Sequence, residues 1–157
     1  MPVSKDEFRS AMSRFASGVT IVTTKTEAHH PIGITVSSFA SLSLEPPLVL
    51  VCIDKRASIH DQLVEGRYLA VNVLAEDQEI LSRRFASRDD DRFSGTGYAE
   101  GVTGAPILND VLAAIECRIV YTYPGGDHTI VVGEVERTIV NDGKPLAYFR
   151  GGYAELA

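Results

Sequence analysis

The sequence predicts a mostly β fold, an antiparallel barrel with helices packed around it. Three observations carry this expectation. Roughly seven apolar or alternating runs of strand length are separated by turn residues, and the last of them form a meander of hairpins. The regular strand–helix alternation of a doubly wound parallel sheet is missing. The 157 residues show no internal repeat and no linker, so residues 1–157 read as one domain. A chain of that length buries roughly 70% of the surface that its unfolded form exposes.

The chain opens with a helix. Ser4 is a suitable N-cap, Glu7 completes a capping box, and Phe8, Ala11, Met12 and Phe15 form one apolar stripe before Gly18 ends the run. Val19 to Thr24 is β-branched at every position, which strands favour and helices tolerate poorly. A polar turn from Glu27 to Pro31 leads to a second strand, Ile32 to Val36. Ser37 to Ser41 is short, polar and non-periodic and reads as a turn, while Pro46-Pro47 imposes extended backbone. Leu48 to Ile53 is apolar on both faces, the pattern of a central strand. After the loop Asp54 to Ala57, Ser58 is placed to cap a short helix through Leu63, which Gly66 stops.

Tyr68 to Val73 is a further apolar strand, and Gln78 to Phe85 has helical spacing. Ser87 to Ala105, with its glycines and the run Asp89-Asp90-Asp91, reads as an irregular excursion over the surface. Ala113, Ile115, Cys117, Ile119 and Tyr121 alternate with Glu116, Arg118 and Thr122, which predicts a half-buried strand. Pro124-Gly125-Gly126-Asp127 turns the chain back into its partner, His128 to Val140. Asn141 to Lys144 is another turn, and Leu146 to Arg150 the last strand.

Hydrophobic residues at 45% and charged residues at 23% are globular values, and they exclude a disordered tail, a collagen repeat or a coiled coil. The balance is acidic, with 21 Asp and Glu against 15 Lys and Arg, net −6. Without a basic block, such a chain is a poor ligand for duplex nucleic acid or an anionic membrane, since both attract cationic patches. The longest wholly apolar stretch, Pro46–Ile53, is far short of the ~20 residues that span a bilayer. The N-terminus turns polar at once, unlike a signal peptide. Cys52 and Cys117 each sit in an apolar run without Cys-x-x-Cys spacing, the pattern of reduced, buried thiols. Together these features read as cytoplasmic.

The chain has no Walker-type phosphate loop and no G-x-S-x-G elbow, and Gly95-Thr96-Gly97 lacks the third glycine and the preceding strand of a dinucleotide fingerprint. His29-His30, His60 and His128 show no zinc spacing, so no metal site is expected. What remains are polar clusters, each with two readings. Gly33 to Ser41 offers four hydroxyls among small side chains, which let a flat ligand approach the backbone; a serine-rich turn looks the same. Asp54-Lys55-Arg56-Ala57-Ser58 puts two cations and a hydroxyl before a helix, which suits a phosphate or merely a capped turn. Arg83-Arg84-Phe85-Ala86-Ser87 brings cations to a helix end, where a ligand or the helix dipole accounts for them. His128, at the mouth of a hairpin, is either solvated or set to meet an anion or a planar ring. Tyr148 to Tyr153 mixes aromatics, a cation and flexible backbone. Cation-bearing loops on an acidic chain suggest a small phosphorylated ligand, but residue types alone do not name a reaction.

The strings FASGVTIVTT, GITVSSFASLSLEPPLVLVCI, RFA, GGDHTIVVGEV and PLAYFRGGY, in this order, are similar to the flavin reductase-like family of FMN-binding split barrels. Within it they resemble the small reductase components of two-component flavin-dependent monooxygenases, over about Phe8 to Tyr153. The resemblance implies a homodimeric Greek-key split barrel with FMN or FAD at the dimer interface. Gly33, Thr35, Val36, Ser37, Ser38, Phe39 and Ser41 would lie along the isoalloxazine. Cys52, Ile53, Asp54, Lys55 and Ser58 would follow the ribityl chain to the phosphate, and Arg84, Phe85 and Ala86 would complete the flavin site. His128, Phe149 and Arg150, with Phe8 and Arg9, would face NADH or NADPH.

In such enzymes the nicotinamide passes hydride to flavin N5, so orienting two rings lowers the barrier and no catalytic side chain is assigned. The implied partners are a second copy of the chain and a separate oxygenase that receives reduced flavin. Gly152 departs from relatives that carry a larger, often basic residue there, which bears on the nucleotide's phosphate contacts. Despite the net charge, Lys55, Arg56, Arg84 and Arg150 are expected to gather against phosphates. Two alternatives stand beside this: a flavin carrier or sensor of the same fold, and an acidic interaction module. His128 and Arg150 favour the reductase, because a carrier has no use for a nucleotide site.

Overall fold

A computed structural model of residues 1–157 contains twelve strands, two α-helices and one 3-10 turn. The main sheet has seven antiparallel strands. In chain order they are β2 (Thr20–Lys25), β3 (Pro31–Val36), β4 (Phe39–Ser43), β5 (Leu48–Asp54), β6 (Tyr68–Val73), β9 (Ala113–Gly125) and β10 (His128–Val140). Their spatial order is β3-β2-β6-β9-β10-β5-β4. The two edges, β3 and β4, are consecutive in the chain and joined only by Ser37 and Ser38. A two-residue link between opposite edges forces the sheet to curl until the edges meet. Val22, Val36, Val51, Val71, Ile119 and Val131, from six different strands, fill one core inside that curl.

A second core lies outside the curl. Ile21, Ala70, Leu74 and Ala114 of the sheet side pack there against helix α2 (Glu79–Ala86) and the segment Ala105–Val111. Phe85 of α2 is fully buried and meets Phe93 edge to face at 5.0 Å. A Cβ on Gly33 would come within 2.9 Å of the Phe85 ring, so the bare glycine on β3 lets α2 settle on the sheet.

Several expectations are corrected. The first helix, α1, spans only Lys5–Met12 and buries none of its residues; Ser4 still caps it by accepting from Glu7 N at 3.1 Å. Phe15 lies beyond its end, in the run to β1 (Ser17–Gly18). The polar run expected to be a turn becomes strand β4 from Phe39, because an edge strand can turn Ala40, Ser41 and Leu42 to solvent. Ser58 caps no helix: the 3-10 turn His60–Gln62 starts from Ile59 without a side-chain cap. The last strand is a hairpin, β11 (Ala147–Phe149) and β12 (Gly152–Ala154).

The excursion expected between Ser87 and Ala105 is partly ordered. Tyr98–Glu100 (β7) pairs with Pro106–Leu108 (β8), and Ala105, Ile107 and Leu108 are buried. Buried polar groups hold this hairpin to the sheet: Thr23 Oγ1 donates to Pro106 O at 2.6 Å, and Leu108 N donates to Asn72 Oδ1 at 3.0 Å. Glu116, buried on β9, accepts from Thr103 N at 3.0 Å and Thr103 Oγ1 at 2.6 Å. No helix is long and apolar enough to cross a membrane.

Gly133 of β10 lies at a register irregularity opposite β9, where a Cβ would stand 2.6 Å from Cys117 Cβ. Gly133→Ala is therefore expected to destabilise the fold by about 1–3 kcal/mol through overpacking, seen as a lower midpoint in thermal unfolding. An unchanged midpoint would contradict this packing.

Candidate functional site

The link Ser37-Ser38 is fixed against β5 from both sides. Cys52 N donates to Ser38 O at 3.1 Å, and Ser38 Oγ donates to Cys52 O at 3.1 Å. Outside this link lies a groove of about 880 Å³. Ser37, Ser38, Phe39, Ala40, Leu50 and Cys52 form its sheet side, and Phe8, Arg9, Met12 and Phe15 its helix side. The apolar stripe predicted for the first helix thus faces this groove rather than a core. Arg150 N donates to Ser13 O at 2.8 Å and ties the α1 end to the β11–β12 hairpin, whose Tyr148 and Gly151 complete the wall.

The groove exists because β5 alternates. Val49, Val51 and Ile53 are buried in the first core, whereas Leu50, Cys52 and Asp54 face outwards. The expected strand, apolar on both faces, is present, but its second face is only half covered. Beside the groove, a smaller cavity of about 200 Å³ shares Ser37 and Tyr148 with it and reaches Thr35, Ser82, Ala86 and Tyr153. There Thr35 Oγ1 donates to Ser82 O at 2.6 Å, and the Ser82 and Tyr153 hydroxyls are 2.7 Å apart.

Beyond Cys52, β5 runs out at Asp54, which stands opposite His128 in the ladder. Lys55 N donates to Asp127 O at 3.0 Å, so the loop after β5 and the turn before β10 are joined. Asp54 accepts from Arg56 N at 2.8 Å and from Arg56 Nη2 at 3.0 Å. These bonds to Arg56 hold the Asp54 carboxyl down at about 2. Lys55 and Ser58 are exposed. His128 Nδ1 donates to Asp127 Oδ1 at 2.7 Å, and this bond holds the Asp127 carboxyl below its ordinary value.

The other sequence-derived candidates fall into distinct places. Gly33 and Phe85 pack on each other, and Val36, Ile53 and Phe85 are buried side chains, so Val36 and Ile53 offer a ligand their backbone. Ser41 is exposed on β4, opposite Val49. Arg84 donates to the carbonyls of Arg92 (2.6 Å), Asp91 and Ser94, closing the loop after α2. Ser58 shares a cavity of about 220 Å³ with that loop and Gly33. Phe149 and Arg150 sit at the exposed tip of the last hairpin. Of the four cations expected to gather, Arg56 and Arg84 are thus engaged by the protein itself. Sequence reasoning passed over Met12, Phe15 and Leu50 as groove residues, because apolar character alone does not tell a groove wall from a core; Tyr148 was noted only as part of the last aromatic segment.

The site is thus an apolar groove edged by serine hydroxyls, with the exposed Lys55 just beyond the end of the strand that floors it. The sequence profile described as "Flavin reductase like domain" matches residues 12–157, and the chain belongs to that family. It is 42% identical over 150 residues to FMN reductase (NADH) SmoA of Agrobacterium fabrum, covering 96% of this chain and 85% of the relative. It is 41% identical over 150 residues to the flavin-dependent monooxygenase reductase subunit HsaB of Rhodococcus jostii, covering 95% of this chain and 76% of the relative. Among solved structures, the Streptomyces globisporus C-1027 NADH:FAD oxidoreductase SgcE6, in complex with NAD and FAD fragments, is similar with a TM-score of 0.92 and 36% identity. That similarity covers 98% of this chain and 93% of the other.

The two thiols differ in a way that reports on the groove. Cys117 is buried, and burial, aided by Glu136 and Glu116, pushes its thiol up to about 12. At pH 8 it stays protonated and shielded, whereas Cys52 opens into the groove. Iodoacetamide at pH 8 is expected to label Cys52 and spare Cys117, and FMN to slow the Cys52 reaction. Equal labelling of both, or a Cys52 rate indifferent to FMN, would contradict the placement.

Proposed function

We infer that the chain is an NAD(P)H:flavin oxidoreductase that reduces FMN or FAD by hydride transfer and supplies the reduced flavin to a separate monooxygenase component. The observation that carries this reading is the groove floored by Leu50 and Cys52 and edged by Ser37 and Ser38, beside the joined Lys55 and Asp127 turns. Its volume and donor set fit a flavin. Bound there, flavin supplies a planar ring that accepts hydride from a reduced nicotinamide.

The protein's own part is orientation. With flavin in the groove, Ser37 and the backbone of the Ser37-Ser38 link would meet the polar edge of the ring, while Phe39, Leu50 and Cys52 would cover it and exclude water. Lys55 and Ser58, both exposed, would hold the phosphate through their side chains, since the N–H groups of Lys55, Arg56 and Ala57 already donate to Asp127 O, Asp54 Oδ1 and Asp54 O. His128, braced by Asp127, offers its Nε2 edge to the nucleotide. Phe8 and Arg9 line the groove, and Phe149 and Arg150 follow its wall residue Tyr148 at the tip of the last hairpin, from where they would reach the nucleotide. Hydride carries its own electron pair, so no side chain has to take or give a proton; fixing two rings in contact removes the entropic part of the barrier.

The working form is a homodimer. Leu50 and Cys52 on β5, Ile130 on β10 and the stacked pair Tyr121 and Tyr123 on β9 leave an apolar sheet face partly or largely exposed. This face runs into the groove, and a second copy of the chain covers the face and borders the groove, leaving the groove itself open to flavin. Residues 1–157 act as one flavin reductase domain, and its two free thiols suit the cytoplasm.

NADH consumption followed at 340 nm is expected only when FMN or FAD is supplied; a flavin-independent rate, or none with either nucleotide, would overturn the assignment. His128→Ala should raise the nucleotide KM by roughly tenfold while FMN affinity changes less than about twofold. Equal loss of both would remove His128 from the nucleotide side. Sedimentation at micromolar concentration should give about twice the 17.0 kDa chain mass; a 17.0 kDa species would contradict the dimer.

A further inference from the structure

The loop after β5 has no capped helix behind it to hold it in place. It is braced instead by the start of β10. One brace is the bond from Lys55 N to Asp127 O at 3.0 Å. The other is the His60 side chain, whose ring bridges Asp61 and Thr129.

The direction of the Asp61 bond follows from chemistry. The Asp61 carboxylate only accepts, so His60 Nδ1 carries the proton and donates to Asp61 Oδ1 at 2.8 Å. The other ring nitrogen, Nε2, is hydrogen-bonded to Thr129 Oγ1 at 2.7 Å; the hydroxyl serves as either donor or acceptor there. Asp61 is 92% exposed, so water competes fully for that bond, while the His60 side chain is only 22% exposed. The Thr129 bond is therefore the stronger constraint. Thr129 is the next residue after His128 on β10 and stands opposite Ile53.

We propose that His60 is a positioning residue for the phosphate end of the flavin: through Thr129 it fixes the Lys55–Ser58 loop to the strand that carries His128. The proposal rests on the flavin reading above. A loop ordered in advance spends less of its contact energy on ordering when phosphate arrives. The same bond sets the flavin loop and the nucleotide strand relative to each other. Its loss acts on phosphorylated flavin and spares riboflavin, which lacks the phosphate.

The test compares FMN and riboflavin dissociation constants, by flavin fluorescence, for the wild-type protein, Thr129→Val, Thr129→Ser and Lys55→Ala. Thr129→Val keeps the shape and removes the hydroxyl; it is expected to weaken FMN about 5- to 20-fold and riboflavin less than about twofold. Thr129→Ser should restore FMN binding. In steady state, Thr129→Val should raise the FMN KM and leave kcat at saturation within about twofold, a split that general loosening of the fold would not give. If Thr129→Val packs poorly, His60→Asn, too short to reach Thr129, should show the same FMN-selective loss. Equal weakening of both flavins, or no change in either, while Lys55→Ala still weakens FMN selectively, would overturn the His60 role and leave the flavin site standing. If Lys55→Ala itself fails to discriminate FMN from riboflavin, the phosphate assignment falls and the His60 role falls with it.

Discussion

The pairing of β5 with β10 is the constraint on which the site depends. The two strands stay in antiparallel register from Leu48 opposite Glu134 to Asp54 opposite His128. Because side chains alternate, a slip of one residue would exchange the two faces of β5. Val51 and Ile53 would leave the core, and Leu50 and Cys52 would leave the groove. The same register brings the loop that starts at Lys55 against the turn that ends at Asp127. One hydrophobic alternation therefore sets both the floor of the groove and the meeting of its two charged loops.

The curl of the sheet supplies the rest. Its edges, β3 and β4, are joined at the exposed residues Ser37 and Ser38. Ser38 is bound to Cys52 through both its hydroxyl and its carbonyl, which leaves the link rigid but open to the groove. On the other side, Thr35 reaches Ser82 of α2, and the Phe85 ring fills the space that Gly33 leaves. Helix, sheet edge and groove are thus held to one another by packing and hydrogen bonds within the chain.

Much of this was legible in the sequence. The β-branched run Val19 to Thr24 and the alternation from Ala113 to Tyr121 gave strands where they are found. Ser4 marked the first helix start. The misreadings have physical causes. β4 and the β7–β8 hairpin are fixed by partners distant in sequence, namely β5, Thr23 and Asn72, and a local pattern carries no trace of those partners. Leu50 read as part of a central strand because a side chain that lines a groove needs the same apolar character as one that fills an interior. Arg56 and Arg84 read as phosphate cations, yet Asp54 and three backbone carbonyls already hold them. Charge on a loop shows that a cation is present, not whether it is free. The membership of the flavin reductase family was readable in combined motifs rather than in any one residue.

The most direct measurement is an amide chemical-shift map of the isotopically labelled protein titrated with FMN. Ser37, Ser38, Cys52, Lys55 and Ser58 should shift first and furthest, and His128 should respond on adding a nicotinamide nucleotide. The contrary result is specific as well. Shifts gathered around the polar cavity at the other end of β2 and β3, beside Lys25, Arg67 and Gly104, with Ser37 to Lys55 unmoved, would place the ligand elsewhere and contradict the site.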